Sequence, residues 1–286
     1  RYYQRGDYIG KQGVERSYEE ALRGIKGSEI LLRDARGRIK GRYQNGKFDQ
    51  APIPGRNLTL SIDIKLQALG ERLMTGKRGS IVAIEPSTGE ILCMVSSPTY
   101  DPRMTVGRQR GKNHLLLSRD PNKPLLNRSI MGQYPPGSTF KTITLAAAID
   151  CGAVTLDSHF ACGGAEQIPG RSQLLHCWKS TGHGGQQTAQ ALQNSCNLAF
   201  AHIGLKLGGE RFYDYIQKFG ILEKTGIDLS GESKGVFFDK SLVTDTEKWG
   251  TASLTSGSFG QTFKLTPLQL VRAIAAVVNG GNLMEP

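Results

Sequence analysis

Nowhere in its 286 residues does the chain hold a run of about 18 apolar residues, which excludes a membrane-spanning helix from this sequence. It also lacks a charged leader followed by an apolar stretch and a small-residue cleavage site. No internal repeat is present, and none of the motifs that mark RNA or DNA binding occurs, so nucleic acid is not an expected partner. The opening residues, Arg1-Tyr2-Tyr3-Gln4-Arg5-Gly6, read as the middle of a domain. Both ends are therefore expected to be boundaries within a longer protein, and a missing membrane anchor carries no weight.

What is present is a globular composition, 38% hydrophobic and 21% charged, long enough for one large core and a smaller attached region. Lys and Arg number 36 against 25 Asp and Glu, a net charge of +11. Such a balance favours an anionic neighbour, phospholipid head groups or an acidic polymer, or serves solubility alone. Basic residues concentrate in the first half, for example Arg103, Arg108, Arg110, Lys112 and Arg119.

Residues 1–57 are polar and turn-rich, with hairpin turns expected at Asp34–Arg38 and Gln44–Lys47. Ala51-Pro52-Ile53-Pro54-Gly55 reads as a linker, so a first region over 1–57 and a second over 58–286 are expected. Leu58–Ile62 predicts a short strand, and Asp63 caps a predicted helix to about Met74 with Leu66, Leu69 and Leu73 on one face. Two β-branched runs, Gly79–Glu85 and Glu90–Ser96, flank a Pro-Ser-Thr-Gly turn and predict an antiparallel hairpin central to a sheet. Residues 97–133 predict a long basic loop. Helices are expected over Ser138–Asp150, over Thr188–Leu207 with a break near Ser195, over Glu210–Phe219, and from Thr266-Pro267 to Gly280. A hairpin followed by a block of helices suggests an α+β fold.

The strongest motif is Tyr134-Pro-Pro-Gly-Ser138-Thr-Phe-Lys141. Pro135, Pro136 and Gly137 interrupt the chain, so Ser138 falls at a helix start and Lys141 lies on the same face one turn on. A serine hydroxyl needs a base beside it to act as a nucleophile. A lysine becomes that base when burial disfavours its ammonium form, and Phe140 with the alanine-rich helix could supply the apolar packing. The ordinary alternative is a Ser N-cap followed by a surface Lys. Ser195-Cys196-Asn197 lies downstream at the helix break. Its hydroxyl could relay a proton, and its amide could bind substrate backbone and hold Lys141.

Ser138-x-x-Lys141 together with Ser195-x-Asn197 resembles the penicillin-binding proteins and serine β-lactamases. Gly6–Tyr18 resembles the end of the pedestal, or dimerisation, region of the class B enzymes. Gly79–Pro98 resembles the opening hairpin of their transpeptidase domain, and Gly260–Gln269 the segment before its last strands. Within that class the likeness is to the elongation-type enzymes, penicillin-binding protein 2, including the stretch Cys177–Gly184. The resemblance implies a transpeptidase fold with an antiparallel sheet and helices, here without its C-terminal strands, because the expected Lys-Thr-Gly does not occur. It implies a D,D-transpeptidase acting on D-Ala-D-Ala stem peptides of peptidoglycan through a Ser138 acyl-enzyme, with Lys141, Ser195 and Asn197 as further catalytic residues. β-Lactams would trap Ser138, and no cofactor would serve catalysis. It further implies a SEDS-type glycosyltransferase and other elongation-machinery membrane proteins as partners. The location would be the periplasmic face of the inner membrane, with an anchoring helix outside this chain. A β-lactamase or β-lactam sensor of the same fold, or a non-catalytic cell-wall scaffold, are the alternatives.

Five cysteines are present, Cys93, Cys151, Cys162, Cys177 and Cys196. Cys93 and Cys151 read as inert residues of the hairpin and a helix end. Cys162, Cys177, His183 and Cys196 follow one another with 14, 5 and 12 residues between them. Three thiols and an imidazole suit a closed, structural tetrahedral zinc site bracing the active-site wall. The competing assignment is a Cys162–Cys177 disulfide, which an oxidising compartment permits. The likeness to penicillin-binding protein 2 enzymes that hold a metal here, through mixed carboxylate, His and Cys ligands, bears on the zinc assignment. His176 and His202 read as surface or packing residues, and Glu166 has no expected catalytic part.

Overall fold

A computed structural model describes residues 2–4, 7–245 and 250–286. The chain forms two compact units, one of Arg1–Leu60 with Asp228–Ser230, the other of Ser61–Ile227 with Gly231–Pro286.

In the first unit the short helices α1 (Gly13–Ser17) and α2 (Glu19–Leu22) precede a hairpin of β1 (Leu31–Arg33) and β2 (Ile39–Arg42). The Asp34 side chain accepts the N–H groups of Arg36 (3.0 Å) and Arg38 (2.9 Å), so the first expected turn forms for the usual Asx reason. The second expected turn differs. Gln44 and Asn45 adopt left-handed backbone (φ 44° and 54°), but no strand follows them. The chain returns only through isolated bridges, Ser28 with Gln50 and Ile25 with Ile53. None of the described residues in 2–60 is buried.

The second unit opens at Ser61. No strand forms over Leu58–Ile62; instead Ser61 Oγ donates to Ile91 O (2.8 Å) and Asp63 N–H to Leu92 O (2.9 Å), too few bonds to make a ladder. Asp63 then caps α3 (Ile64–Leu73), accepting from the N–H groups of Lys65 (2.8 Å) and Leu66 (3.0 Å). Gly70 is the buried residue of α3, and a Cβ there would lie 2.9 Å from Val95 Cγ2, so the helix docks through its glycine. Leu66, Leu69 and Leu73 remain 37%, 41% and 53% exposed.

β3 (Gly79–Ile84) and β4 (Ile91–Ser97) form the expected hairpin, with alternating burial along β4. Among the described residues it is a two-stranded sheet rather than the centre of a larger one. The stretch expected as a loop contains α4 (Arg110–Arg119) and α5 (Arg128–Met131). Its prolines fall outside these helices, which is why they did not prevent them. Arg128, 1% exposed, ties the segment down by donating to the carbonyls of Asn122, Lys123 (3.3 Å) and Leu126 (3.5 Å).

A 3-10 turn over Gly137–Phe140 leads into α6 (Lys141–Asp150), so the expected helix starts tighter than an α-helix. Two small antiparallel pairs follow: β5 (His159–Cys162) with β8 (Gly184–Gln187), and β6 (Ala165–Glu166) with β7 (Leu175–His176). The helical block is α7 (Thr188–Gln193), α8 (Asn197–Leu207), α9 (Gly209–Lys218), α10 (Ser241–Thr244), α11 (Gly250–Gly257) and α12 (Pro267–Val278). Thr266 and Gln269 close a reciprocal capping box at the start of α12.

α8 is the central element, buried along most of its length and packed on α6 and α11. One core gathers Phe160, Phe200 and Ile203 around α8; the other stacks Phe140 against Phe263 (centroids 4.8 Å apart) and Phe212 (6.4 Å). Gly204 lets α8 approach the end of α11, since a Cβ there would lie 1.8 Å from Ser258 Oγ and 2.8 Å from its Cβ. Gly204→Ala should therefore lower stability by about 1–3 kcal/mol through overpacking, read as a reduced Tm; an unchanged Tm would contradict this packing.

Candidate active site and cysteine cluster

The proline pair and Gly137 set the entry into α6. Gly137 takes φ +57°, and its N–H donates to Gly260 O at 3.0 Å. Gly260 (φ +78°) must itself be glycine-like, because a Cβ would come within 2.1 Å of Gly137 O. Tyr134 and Leu265 exchange two backbone hydrogen bonds of 2.9 Å, which clamps the run before Ser138 onto the segment before α12. The result is an exposed Ser138 on the first turn and a Lys141 with no exposed surface one turn later.

Lys141 Nζ stands among four oxygens. Ser195 O lies at 2.7 Å, Asn197 Oδ1 at 2.8 Å, Ser195 Oγ at 3.0 Å and Ser138 Oγ at 3.2 Å. The first two can only accept hydrogen bonds. A neutral amine has two N–H bonds, and both are taken by those obligatory acceptors. Its lone pair is then left for a hydroxyl proton, from Ser138 or Ser195. Burial drives the Lys141 amine down from the ordinary lysine range to about 8, opposed by any negative charge on the thiols of Cys177 and Cys196.

The helix break delivers Ser195. It sits at φ +48° between α7 and α8, held by its N–H to Leu192 O (2.9 Å) and by Cys196 N–H to Ala191 O (3.0 Å). This turns both its carbonyl and its hydroxyl toward Nζ. The amide nitrogen of Asn197 makes only a 3.4 Å contact with His176 O. Thus Ser138, Lys141, Ser195 and Asn197 meet at one point. The apolar surroundings differ from expectation. Phe140 packs into the phenylalanine stack, and the rings near Nζ belong to Phe200 (5.5 Å) and Phe259 (5.9 Å). Neither ring, nor the Ser195 carbonyl, has a motif that singles it out in the sequence.

On the other side of the same turn lie the sulfur atoms. The ligand atoms of Cys162, Cys177, His183 and Cys196 all fall within 4.8 Å of one another. Cys177 and Cys196 Sγ are 3.9 Å apart, and His183 Nδ1 is 3.5 Å from Cys162 Sγ and 3.6 Å from Cys177 Sγ. Zinc–sulfur bonds of about 2.3 Å require tetrahedral sulfur–sulfur edges of about 3.8 Å. The four atoms thus fit a tetrahedral ion. All five cysteines are free thiols here, and no Cys162–Cys177 bond is formed. Burial raises the Cys196 thiol to about 12, although its sulfur accepts the Ala199 N–H (3.5 Å) at the start of α8. Burial also pushes the His183 imidazole down, aided by Lys179 and Lys141, which leaves it neutral and able to ligate. Its Nε2 is buried without a hydrogen-bond partner, while Trp178 meets the ring edge-on at 5.3 Å. Trp178 Nε1–H in turn donates to Asn194 O at 3.0 Å, joining this loop to the active-site turn.

Of the other polar residues weighed, Glu166 pairs with His202 at 2.9 Å, and neither contacts Lys141. Cys93 is buried on β4, and burial raises its thiol; Cys151 Sγ lies 3.7 Å from Ala148 O at the end of α6.

Comparison with known proteins places the chain as a whole. Residues 1–60 match the Penicillin-binding Protein dimerisation domain. The peptidoglycan D,D-transpeptidase MrdA of Acinetobacter baumannii is 37% identical over 97% of this chain, and Stage V sporulation protein D of Bacillus subtilis 38% identical over 98%. The chain spans 41% of the length of each of these curated relatives. Among solved structures, Pseudomonas aeruginosa PBP2 in complex with WCK 5153 superposes with a TM-score of 0.81 at 33% identity, covering 97% of this chain and 58% of that one. Helicobacter pylori PBP2 in its complex with MreC gives 0.83 at 28% identity, covering 97% and 52%. With residues 79–286 matching the model described as Penicillin binding protein transpeptidase domain, the chain belongs to the penicillin-binding protein transpeptidase family.

Proposed function

We propose that this chain carries the acyl-transfer centre of a peptidoglycan D,D-transpeptidase of the elongation type, with Ser138 as nucleophile and Lys141 as its base. The observation that supports this most is the buried amine at 3.2 Å from Ser138 Oγ, with its N–H bonds committed to Ser195 O and Asn197 Oδ1. Ser138 Oγ attacks the carbonyl of the penultimate D-Ala as its proton passes to Lys141 Nζ. The backbone N–H of Ser138 donates to the developing oxyanion, a contact worth about 3 kcal/mol in such sites. As the C–N bond breaks, the proton reaches the departing D-Ala amine by way of Ser195 Oγ, 3.0 Å from Nζ. An amine of a second stem peptide then displaces Ser138 from the ester, and the proton returns along the same path. Asn197 holds Nζ through its oxygen and offers its nitrogen to substrate backbone. β-Lactams imitate the D-Ala-D-Ala end and leave a slow ester on Ser138.

The Cys162–Cys177–His183–Cys196 cluster would hold a structural zinc ion, closed by four protein ligands and without a part in the chemistry. With those thiolates balanced by an ion, Cys196 would be held in place between Ser195 and Asn197. In this assignment residues 1–57 are a pedestal remnant, the protein works at the periplasmic face of the inner membrane, and its partners are elongation-machinery membrane proteins, a SEDS-type glycosyltransferase among them. One structural neighbour is a PBP2 bound to MreC, which supports partners of that kind.

In the full-length protein, fluorescent penicillin should form a persistent adduct at Ser138, identified by peptide mass. Ser138→Ala should give none, and Lys141→Met should slow acylation by about 100-fold or more. A Lys141→Met protein that acylates at the wild-type rate would refute the base assignment, and rapid release of the adduct would indicate a β-lactamase. For the cluster, protein purified without added zinc should contain about one zinc per chain, as expected of a four-ligand site. A metal-free protein whose mass and thiol count match a disulfide would refute it.

A further inference from the structure

Between Asp101 and Arg128 the sequence holds seven basic side chains and two acidic ones, nearly half of the net charge of +11. Both acids are engaged: Asp101 grips Arg103, and Asp120 accepts the N–H of Asn122 at 2.7 Å. Arg108, Arg110, Lys112 and Arg119 are all exposed, and among the described residues none has a carboxylate within ion-pair distance. Arg110 reaches only the carbonyl of Gly107, at 3.2 Å. An ordinary solvated face mixes both signs to avoid this repulsion.

The segment is also built rather than loose. Buried Arg128 fixes its end, Ser96 Oγ donates to Leu126 O at 2.9 Å, and Asn113 Nδ2 donates to Met104 O at 2.9 Å, tying α4 to the turn before it. Leu117 is buried beneath α4. On the opposite side, Lys112, Leu115, Leu116 and Arg119 follow helical spacing, and Leu115 and Leu116 are 47% and 58% exposed. A short apolar strip is thus bracketed by cations. Cations occur around the helix instead of opposite a separate apolar face, which disfavours burial in a lipid surface. The fitting occupant carries many carboxylates and small apolar groups along one chain.

We propose that Arg103–Arg119 is a docking surface for the anionic wall polymer itself, holding its carboxylate- and alanine-bearing peptides while Ser138 acts on one of them. The proposal rests on the transpeptidase assignment above. Each exposed charge contact is weak by itself. Several made at once by a repeating polymer add up, and they weaken together as salt rises. The segment runs by way of α5 into Tyr134–Ser138, so polymer held here is tethered to the element that presents the nucleophile.

The test is co-sedimentation of full-length protein in neutral detergent with insoluble peptidoglycan sacculi stripped of protein and teichoic acid, after Ser138 has been blocked with penicillin. Arg108→Gln/Arg110→Gln/Lys112→Gln/Arg119→Gln should lower the bound fraction about tenfold at low salt, and so should raising salt from about 50 to about 500 mM for the wild type. The variant should still take up fluorescent penicillin at the wild-type rate when unblocked. Equal sedimentation of variant and wild type would overturn the proposal. So would wild-type binding to phosphatidylglycerol micelles, or to a polyglutamate peptide, that exceeds its binding to sacculi at equal charge, which would assign the surface to lipid or to an acidic protein. Loss of penicillin labelling with sedimentation intact would instead unseat the transpeptidase assignment alone.

Discussion

The burial of one amine organises the active half of this molecule. Lys141 has no exposed surface, yet its Nζ meets four oxygens, two of which can only accept. Burial strips the ammonium of most of its hydration and brings the midpoint of the amine down to about 8, so loss of the proton becomes accessible near neutral pH. That single shift turns a lysine from a surface cation into a base. Ser195, at φ +48°, places both its carbonyl and its hydroxyl oxygen against Nζ.

The cysteine cluster and the amine share one stretch of chain. Residues 195 and 197 face Lys141, and residue 196 faces the sulfur atoms. In our proposal a zinc ion on one side sets the position of two catalytic groups on the other, with Trp178 bracing the same turn through Asn194 O. The turn is held by its own backbone bonds, Ser195 N–H to Leu192 O and Cys196 N–H to Ala191 O, and leads directly into α8.

Local rules made the serine–lysine pair readable, because three residues on a helix return to one face whatever surrounds them. They also gave the Asp63 and Thr266 caps, each set by a residue type with a strong preference for that position, and the break near Ser195, though not its left-handed backbone. Contacts made at long range were not readable. Phe200 and Phe259 reach Nζ only through the packing of α8 and the end of α11, while Phe140, adjacent in sequence, turns to Phe212 and Phe263. The leucines of α3 followed a helical period, but that α3 meets β4 closely at Gly70 could not be read from it. α4 was hidden by prolines that lie outside it. Composition had given the cationic stretch, but its fixed backbone and unpaired side chains came from the fold.

The most direct measurement is the titration of the Lys141 side chain itself, followed by NMR in protein labelled with carbon-13 at the lysine ε position and assigned with Lys141→Met. One lysine should titrate with a midpoint near 8, in keeping with burial that lowers the amine from the ordinary range. A Lys141 midpoint in the ordinary range, about 10.4, would leave less than about 0.1% of the amine neutral near pH 7, against roughly 10% for a midpoint near 8, and the proposed proton transfer from Ser138 would lack its acceptor.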